Sequence, residues 1–366
     1  MSGADTESRA GPAGYEQALK KADQSVASFE EDAETPLRRL QHFLHAHPTA
    51  IPAFVLVLAI ILFSFIAGSK FLHPFNFSLV LQQVTIIGIV GVAQTLIVLT
   101  AGIDLSVGAI MVLSSVVMGK FAIDVGLPVP FAFASGLIIG TLCGIINGLL
   151  VTKLRLPPFI VTLGTWSIFF ALNLWYSGSE SIRSQDIAEG AAFLQFTGTP
   201  FKIGPDGGWQ ARITIGSILM LGLVALFWYI LNWTSFGRHV YAIGDDPEAA
   251  KLAGIRTDGL LLSVYAIAGF ICAVAGWALI GRIGSVSPQS GYTANLDSIT
   301  AVVIGGTSLF GGRGSIIGTL IGALIVGVFR NGLALSGVDV LWQEFAVGFL
   351  IITAVAIDQW LRRVSA

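Results

Sequence analysis

The sequence predicts an all-α polytopic membrane protein with about ten transmembrane helices and an inverted internal repeat. Of its 366 residues, 54% are hydrophobic and 11% are charged, whereas soluble domains contain about 25% charged residues. The mean hydropathy is +0.80, and several apolar stretches approach the roughly 20 residues that cross a bilayer. Two motifs also recur in the same order along the chain. The net charge of −2 argues against a nucleic-acid partner.

The N-terminal segment is polar and carries eight acidic and five basic side chains. It contains no charged stretch followed by a cleavable apolar core, so we expect no secretory signal peptide. Residues 1–47 are predicted to be a cytosolic tail, and residues 48–361 a transmembrane domain. His42, His45 and His47 have no Cys or carboxylate pattern that would complete a metal site. We therefore predict a histidine-rich segment at the membrane interface.

Ten apolar segments have the length and composition of membrane spans. The third, eighth and ninth are short or interrupted by glycine, which leaves their boundaries the least defined. The predicted spans are residues 51–68, 79–99, 105–124, 130–151, 158–176, 213–232, 260–281, 295–310, 315–331 and 341–360.

The positive-inside rule sets the predicted orientation. With both termini cytoplasmic, most of the 20 Lys and Arg residues lie inside. Residues 177–212 then form the main extracytoplasmic loop, and residues 233–259 form the main cytosolic loop. The cytosolic basic residues are the five of the tail together with Lys153, Arg155, Arg238, Lys251, Arg256, Arg313, Arg362 and Arg363.

Two motifs recur in the second half of the chain. GLIIGTLCG at 136–144 returns as GSIIGTLIG at 314–322, and TAGID at 100–104 returns as TANLD at 293–297. In the topology above, the corresponding helices cross the membrane in opposite directions. This arrangement is the inverted repeat that many transporters share. The predicted repeats cover about residues 79–176 and 260–361.

Glycines four residues apart lie on one face of a helix in each half. Small residues at this spacing let helix backbones approach closely in lipid, where packing drives association. We therefore predict a helix-packing role for Gly136, Gly140, Gly144, Gly148, Gly314, Gly318 and Gly322. Cys143 and Cys272 lie in similar apolar stretches and are predicted to be packing residues.

The segment TAGIDLSVGA at 100–109 places a carboxylate between two apolar runs, where a charge is costly. Gly102 is predicted to end the incoming helix in the left-handed conformation. Asp104 is predicted to cap the next helix by accepting hydrogen bonds from its first free N–H groups. The same interpretation fits Asp297 before SITAVVIGG. The sequence therefore predicts a helix break in each half.

Such breaks also line the substrate path in many transporters. A carboxylate beside a serine suits a neutral ligand rich in hydroxyl groups. The candidate path residues are Asp104, Ser106, Asn147 and Asp297. The capping and path-lining interpretations are compatible, and both remain open at this point.

The cytosolic loop contains DDPEAAKLAG, the pattern of a short capped helix. Asp245 or Asp246 provides the cap, Pro247 occupies the first turn and Glu248 favours the positive helix end. Gly254 ends the helix. A solvated connector between two spans would account for the same pattern.

Glu248, Ala249, Ala250 and Gly254 also resemble the EAA…G coupling segment of ABC importer permeases, which docks on a cytosolic ATPase. AGIDLSVGA, GRHVYAIGDDPEAAKLAGI, GGTSLFGGRGSIIGTLIGALIVGVFRNGLAL and a last span ending in AVAID complete the resemblance. Together they resemble the membrane permease subunit of ribose/xylose/fructose-type ABC sugar importers. The resemblance covers roughly residues 50–361 and leaves the acidic tail unexplained.

The resemblance implies a bacterial inner-membrane permease that works as a homodimer. Its implied partners are two copies of a cytosolic ATPase and an extracytoplasmic sugar-binding protein. The glycine cluster at 311–314 contains Arg313 but no GK[ST], so the chain lacks a phosphate-binding loop. We therefore expect no catalytic residue, metal or cofactor in this chain, with ATP used by the partner ATPase.

The alternative is a secondary sugar or polyol carrier built on an inverted repeat. Such a carrier usually needs ligands for a coupling ion, and Asp104 and Asp297 are expected at opposite ends of the membrane. The ABC permease is therefore favoured. Fructose or ribose is the favoured sugar, followed by xylose or another pentose.

The orientation predicts opposite accessibility for two positions in the predicted loops. A cysteine introduced at Ser184 should react with an impermeant thiol reagent added outside intact cells. A cysteine introduced at Asp246 should react only after the membrane is opened. Labelling of both from the same side would contradict the predicted topology.

Overall fold

Helices form most of the described structure, a computed structural model that covers residues 49–204, 210–291 and 293–365. The predicted tail at residues 1–47, with its three histidines, lies outside the described residues. In the first half of the chain the helices are α1 (Ala50–Ala67), α2 (Ser69–Leu72), α3 (Pro74–Leu99), α4 (Val107–Ile123), α5 (Val129–Thr152) and α6 (Pro158–Ser177).

A small subdomain lies between α6 and the next long helix. Its elements are α7 (Ser184–Gly190), a 3-10 helix (Ala192–Gly198), β1 (Pro200–Ile203) and β2 (Ala211–Thr214). The two strands are antiparallel, with a register from Pro200 opposite Thr214 to Ile203 opposite Ala211. The second half contains α8 (Ile215–Trp233), α9 (Ser235–Asp245), α10 (Pro247–Leu252), α11 (Thr257–Ile283), α12 (Ala294–Ile304), α13 (Ile316–Leu335) and α14 (Val340–Ser365).

Seven helices in the described residues are long and apolar enough to cross a membrane: α1, α3, α5, α6, α8, α11 and α13. Three shorter apolar stretches are α4, α12 and residues 340–350 at the start of α14. Each of the ten predicted segments therefore coincides with a helix. The predicted class, an all-α polytopic membrane protein, is confirmed.

Two predicted spans differ from the helices that form. The eighth, 295–310, is too long, because α12 ends at Ile304 and Gly306 takes a φ of +83°. The N–H groups of Gly306 and Thr307 close that turn onto the carbonyls of Val303 and Val302. The ninth span was expected to be short or interrupted by glycine, yet α13 is a continuous helix of 20 residues.

Close approach of backbones explains the glycines of α5. This helix packs against α4 and against α11, the helix that also contacts α3. A Cβ at Gly140 would lie 2.8 Å from the backbone oxygen of Gly269, and one at Gly144 would overlap that of Tyr265. These helices lie too close for any larger residue at these positions.

The second glycine run has a different geometry from the first. Gly318 and Gly322 lie on α13 and contact the backbone of α12 at Gly305 and Ala301. Gly314 lies outside the helix, because Ser315 caps α13 by accepting from the Gly318 N–H at 2.9 Å. Its φ of +149° favours glycine, and a Cβ added there would lie 2.5 Å from the Thr307 side chain, so the reason for this glycine differs from helix packing.

A matched pair of glycine substitutions tests this packing. Gly144→Ala should lower the melting temperature of the purified protein, because the new methyl group meets backbone rather than a mobile side chain. Overpacking of this kind costs about 1–3 kcal/mol. Gly164→Ala in α6 is the control, since nothing lies within 4 Å of its added Cβ. Equal melting temperatures for both variants would contradict the packing role.

Candidate substrate path and coupling loop

The break between α3 and α4 begins with a tight helix end. The N–H of Ala101 donates to Val98 at 2.9 Å, and that of Gly102 donates to Ile97 at 3.0 Å. This pair of bonds is a Schellman motif. The left-handed residue is Ala101, with a φ of +60°, so the prediction that Gly102 takes this conformation is wrong. Gly102 is small for another reason: an added Cβ would lie 2.9 Å from the Ile97 side chain.

Asp104, Ser106 and Asn147 form one buried chain of hydrogen bonds. The Asp104 Oδ1 accepts from both the N–H and the hydroxyl of Ser106, each at 2.6 Å. The Ser106 hydroxyl in turn accepts from the Asn147 amide at 2.8 Å. All three side chains are at most 2% exposed. Asp104 thus binds the N–H of the residue that precedes α4, as part of a network that also includes α5.

Neighbouring side chains form hydrogen bonds with the remaining backbone N–H and C=O groups of the break. With its amide oriented by its hydrogen bonds, Gln94 donates to the Asp104 carbonyl at 3.0 Å and accepts from the Asp104 N–H at 3.3 Å. The Thr162 hydroxyl donates to the Ile103 carbonyl at 3.0 Å and accepts from the Leu105 N–H at 3.1 Å. The sequence analysis did not identify Gln94 or Thr162, although each is a polar residue within an apolar run.

The start of α12 reaches the same break. The Asn295 amide donates to the Leu105 carbonyl at 3.2 Å, and a Cβ added at Gly108 would lie 3.4 Å from the Asn295 nitrogen. The segments that contain Asp104 and Asp297 therefore meet. The expectation that these two carboxylates lie at opposite ends of the membrane is wrong, because the chain before α12 brings the helix start against α4.

Asp297 has a different environment from Asp104. Because α12 begins at Ala294, Asp297 lies in its first turn, and the prediction that it caps the helix is wrong. Its carboxylate accepts from Thr293 at 3.1 Å and from two nitrogens of Arg330 at 2.9 and 3.2 Å. Arg330 also contacts Glu344 at 3.2 Å. Asp297 thus belongs to a charged cluster of three helices.

The loop between α8 and α11 forms the capped helix predicted from its sequence. Asp246 accepts from the N–H groups of Glu248 and Ala249 at 2.9 and 3.0 Å. At the other end, Gly254 has a φ of +88°, and the N–H of Ile255 donates to the Ala250 carbonyl at 3.1 Å. The helix α10 is thus closed at both ends by its own residues.

The exposed face of α10 includes a residue that sequence analysis missed. Glu248, Ala249 and Gly254 are exposed, whereas Ala250 is buried and anchors the helix. Leu252 is 90% exposed, the largest exposed fraction among the large apolar side chains of the described residues. Its only sequence signal is a leucine inside an otherwise small and polar stretch.

Glycine contacts connect this loop to the helix break. Gly244, near the end of α9, packs against the carbonyl of Leu99, which itself accepts from the Gly312 N–H at 3.0 Å. The Tyr241 hydroxyl donates to the Gly314 carbonyl at 2.9 Å. Burial raises the pKa of Tyr241 above its usual value, which keeps the donating proton in place. The loop thus rests directly on the end of α3.

Among the described residues, no group of three or more His, Cys, Asp and Glu side chains has the arrangement of a metal site. Cys143 and Cys272 are buried free thiols in this part of the chain.

Comparison with known proteins identifies the family. Residues 76–355 match the profile of the branched-chain amino acid transport system / permease component family. The fructose import permease protein FrcC of Rhizobium meliloti is 58% identical over 352 residues, which cover 96% of each chain. No solved structure gives a significant match to the chain.

Two further relatives are named as permeases for other sugars. The ribose import permease protein RbsC of Bacillus subtilis (strain 168) is 39% identical and covers 90% of this chain and 98% of its own. The xylose transport system permease protein XylH of Escherichia coli (strain K12) is 32% identical and covers 86% and 93%. The resemblance found in the sequence motifs is confirmed. The chain belongs to this family of permease components and is a multi-pass membrane transport subunit rather than an enzyme.

Substitutions of Asp104 separate a hydrogen-bonding role from a role of its charge. Asp104→Asn keeps an oxygen acceptor for Ser106, whereas Asp104→Ala removes it and should cost about 1 kcal/mol of local stability. We expect Asn to retain most of the transport per permease in the membrane, and Ala to lose most of it. Asp186→Ala, at an exposed carboxylate of α7, is the control. If Asn fails as badly as Ala at equal abundance, the charge itself is required.

Proposed function

We propose that this permease subunit imports a monosaccharide, with fructose the first candidate and ribose the second. The observation that carries the proposal is the 58% identity to a fructose import permease over 96% of both chains. The ribose and xylose permeases are less similar, at 39% and 32%. Xylose or another pentose is therefore the third candidate.

The proposed importer is an ABC system of the bacterial inner membrane. Two copies of this permease form the membrane channel, two cytosolic ATPase domains drive it, and an extracytoplasmic sugar-binding protein supplies the substrate. ATP is used by the ATPase, and this chain binds no cofactor. The resemblance in the sequence motifs and the names of the family and its relatives support this assembly.

The exposed face of α10 is the proposed ATPase contact. Glu248, Ala249 and Gly254 present small or acidic groups to the cytosol, and Leu252 adds an apolar side chain that is 90% exposed. Ala250 supports this face from below. Contacts of Gly244 with Leu99 then carry a displacement of the loop to the end of α3.

The proposed topology has ten spans, with both termini and residues 233–259 cytoplasmic and residues 177–212 outside. Its two halves, about 79–176 and 260–361, are proposed to be inverted repeats. The contacts support this relation: α3 packs on α13 and α12, as α11 packs on α5 and α4. The first helix of each predicted repeat thus packs on the second and third helices of the other repeat.

Asp104, Ser106, Asn147 and Asp297 remain our proposed residues of the sugar path, with two different roles. The first three are buried inside one chain, which supports a positioning role: they hold the break next to the path. Asp297 adjoins Arg330 and, through it, the exposed Glu344, which supports a role at the path itself.

Reconstituted transport tests the proposal. The permease, its ATPase and its binding protein are placed in vesicles, and uptake of labelled fructose, ribose and xylose is compared. We expect fructose uptake that requires ATP and survives collapse of ion gradients. Uptake that persists without ATP and stops with the gradient would support a secondary carrier, and uptake of no monosaccharide would refute the proposed function.

A charge placed on the α10 face should release the ATPase. Leu252→Arg and Ala249→Arg introduce a long cation into the proposed contact, while the loop's solvent exposure keeps the fold intact. We expect normal membrane abundance but loss of ATPase co-purification and of transport. Ile203→Arg is the matched control, since Ile203 is a 54% exposed apolar residue of the subdomain after α6. Wild-type ATPase retention in both α10 variants would contradict the coupling role.

A further inference from the structure

We propose that Asp297, Arg330 and Glu344 form a binding site for sugar hydroxyl groups on the wall of the transport path. The inference rests on the proposed function and extends it to Arg330 and Glu344. These residues come from α12, α13 and α14, so the site joins three helices of the second half of the chain.

The cluster is asymmetric in its hydrogen bonds. Asp297 is nearly saturated: it receives two bonds from Arg330, at 2.9 and 3.2 Å, and one from Thr293 at 3.1 Å. In Glu344, both carboxylate oxygens lie 3.2 Å from a single nitrogen of Arg330. A carboxylate has about four acceptor positions. Glu344 therefore keeps about half of its acceptor positions for a ligand.

The exposed fraction of the three side chains increases from Asp297 through Arg330 to Glu344. The side chain of Asp297 is 9% exposed, that of Arg330 is 24% exposed, and that of Glu344 is 53% exposed. The cluster is thus sealed on the α12 side and open on the α14 side. In addition, the Nε–H of Arg330 is buried without a hydrogen-bond partner, so a donor as well as an acceptor is still unsatisfied.

The charges of the cluster argue against a lipid-facing surface. Asp297 is buried and lies two residues after Asn295, whose side chain contacts the Leu105 carbonyl. Arg330 lies five residues before the end of α13, and Glu344 lies four residues after the start of α14. Charged groups inside membrane spans face protein or water, because exposure to hydrocarbon is too costly. We therefore place the open side of Glu344 next to an aqueous space.

The chemistry of the cluster fits a neutral polyol. The carboxylate of Glu344 accepts hydrogen bonds from hydroxyl groups, and the guanidinium of Arg330 donates to hydroxyl oxygens. The three charges leave a net charge of −1, so the site has little attraction for anions. Hydrogen bonds to charged groups are stronger than those between neutral groups. A monosaccharide can use both kinds of group at once.

Accessibility of a cysteine at position 344 is the first test. In the assembled importer in vesicles, Glu344→Cys should react with a charged, impermeant thiol reagent, and saturating fructose should slow the reaction at least about threefold. The wild-type chain gives the background, because Cys143 and Cys272 are buried. Phe65→Cys on α1 is the lipid-facing control, since Phe65 is an apolar residue that is 85% exposed on an apolar helix.

A second cysteine position keeps the labelling test conclusive if the Glu344→Cys variant fails to fold. Leu341 is 80% exposed and one turn before Glu344 on α14, so Leu341→Cys should also react with the reagent. Absence of reaction at both positions in protein that is present in the membrane would overturn the aqueous location. Reaction at both positions without protection by any transported sugar would overturn the sugar site.

Transport measurements complete the test. Glu344→Ala should raise the sugar concentration needed for half-maximal uptake about tenfold, the loss expected for one hydrogen bond to a charged group. Glu344→Gln retains an acceptor and should recover part of this loss, while ATPase co-purification stays unchanged. An unchanged sugar dependence in Glu344→Ala would overturn the site. Failure of the wild-type complex to import any monosaccharide would instead refute the proposed function, and the labelling result would stand apart from it.

Discussion

The satisfaction of backbone polar groups inside the membrane is the constraint on which the rest of the structure depends. A bilayer supplies no water to an interrupted helix, so each free N–H and C=O in the break needs a protein partner. At Asp104, Leu105 and Ser106, all six backbone groups have one. Four of these bonds come from the side chains of Gln94, Thr162 and Asn295. The break therefore defines how closely α3, α6 and α12 approach one another.

Close backbone approach is the second requirement, and glycine makes it possible at both ends of the same break. On the membrane side, Gly144 and Gly269 let α5 and α11 touch, and this contact holds Asn147 beside Ser106. On the loop side, Gly244 and Gly312 meet the carbonyl of Leu99. A shift of α9 thus acts on the last residue of α3 through backbone contacts, which transmit displacement with little side-chain rearrangement.

Local patterns predicted what depends on neighbouring residues in the sequence. Apolar runs located the helices, and DDPEAAKLAG located the cap of α10, because an aspartate before a proline binds the N–H groups directly after it. Partners distant in sequence were not predictable. Nothing near Asp297 indicates that Arg330 reaches it, and the contact of Asn295 with Leu105 spans 190 residues. The left-handed conformation of Ala101 was missed because glycine adopts this conformation more readily, which pointed to the adjacent Gly102. Gly102 is instead required because a larger residue at position 102 would collide with Ile97.

The two carboxylates, Asp104 and Asp297, differ in how far their hydrogen-bond networks are open to the surroundings. The Asp104 carboxylate accepts hydrogen bonds from the N–H and the hydroxyl of Ser106. Ser106 and Asn147 are uncharged and buried, so the network has no open side for a ligand. Asp297 instead orients a guanidinium, and that guanidinium leads to a carboxylate that is 53% exposed. A rigid, buried network suits a pivot, since every bond lost there leaves an unsatisfied group away from water. A charged cluster with one open side suits a surface on which bonds to a passing polyol form and break, because water replaces the ligand at each step.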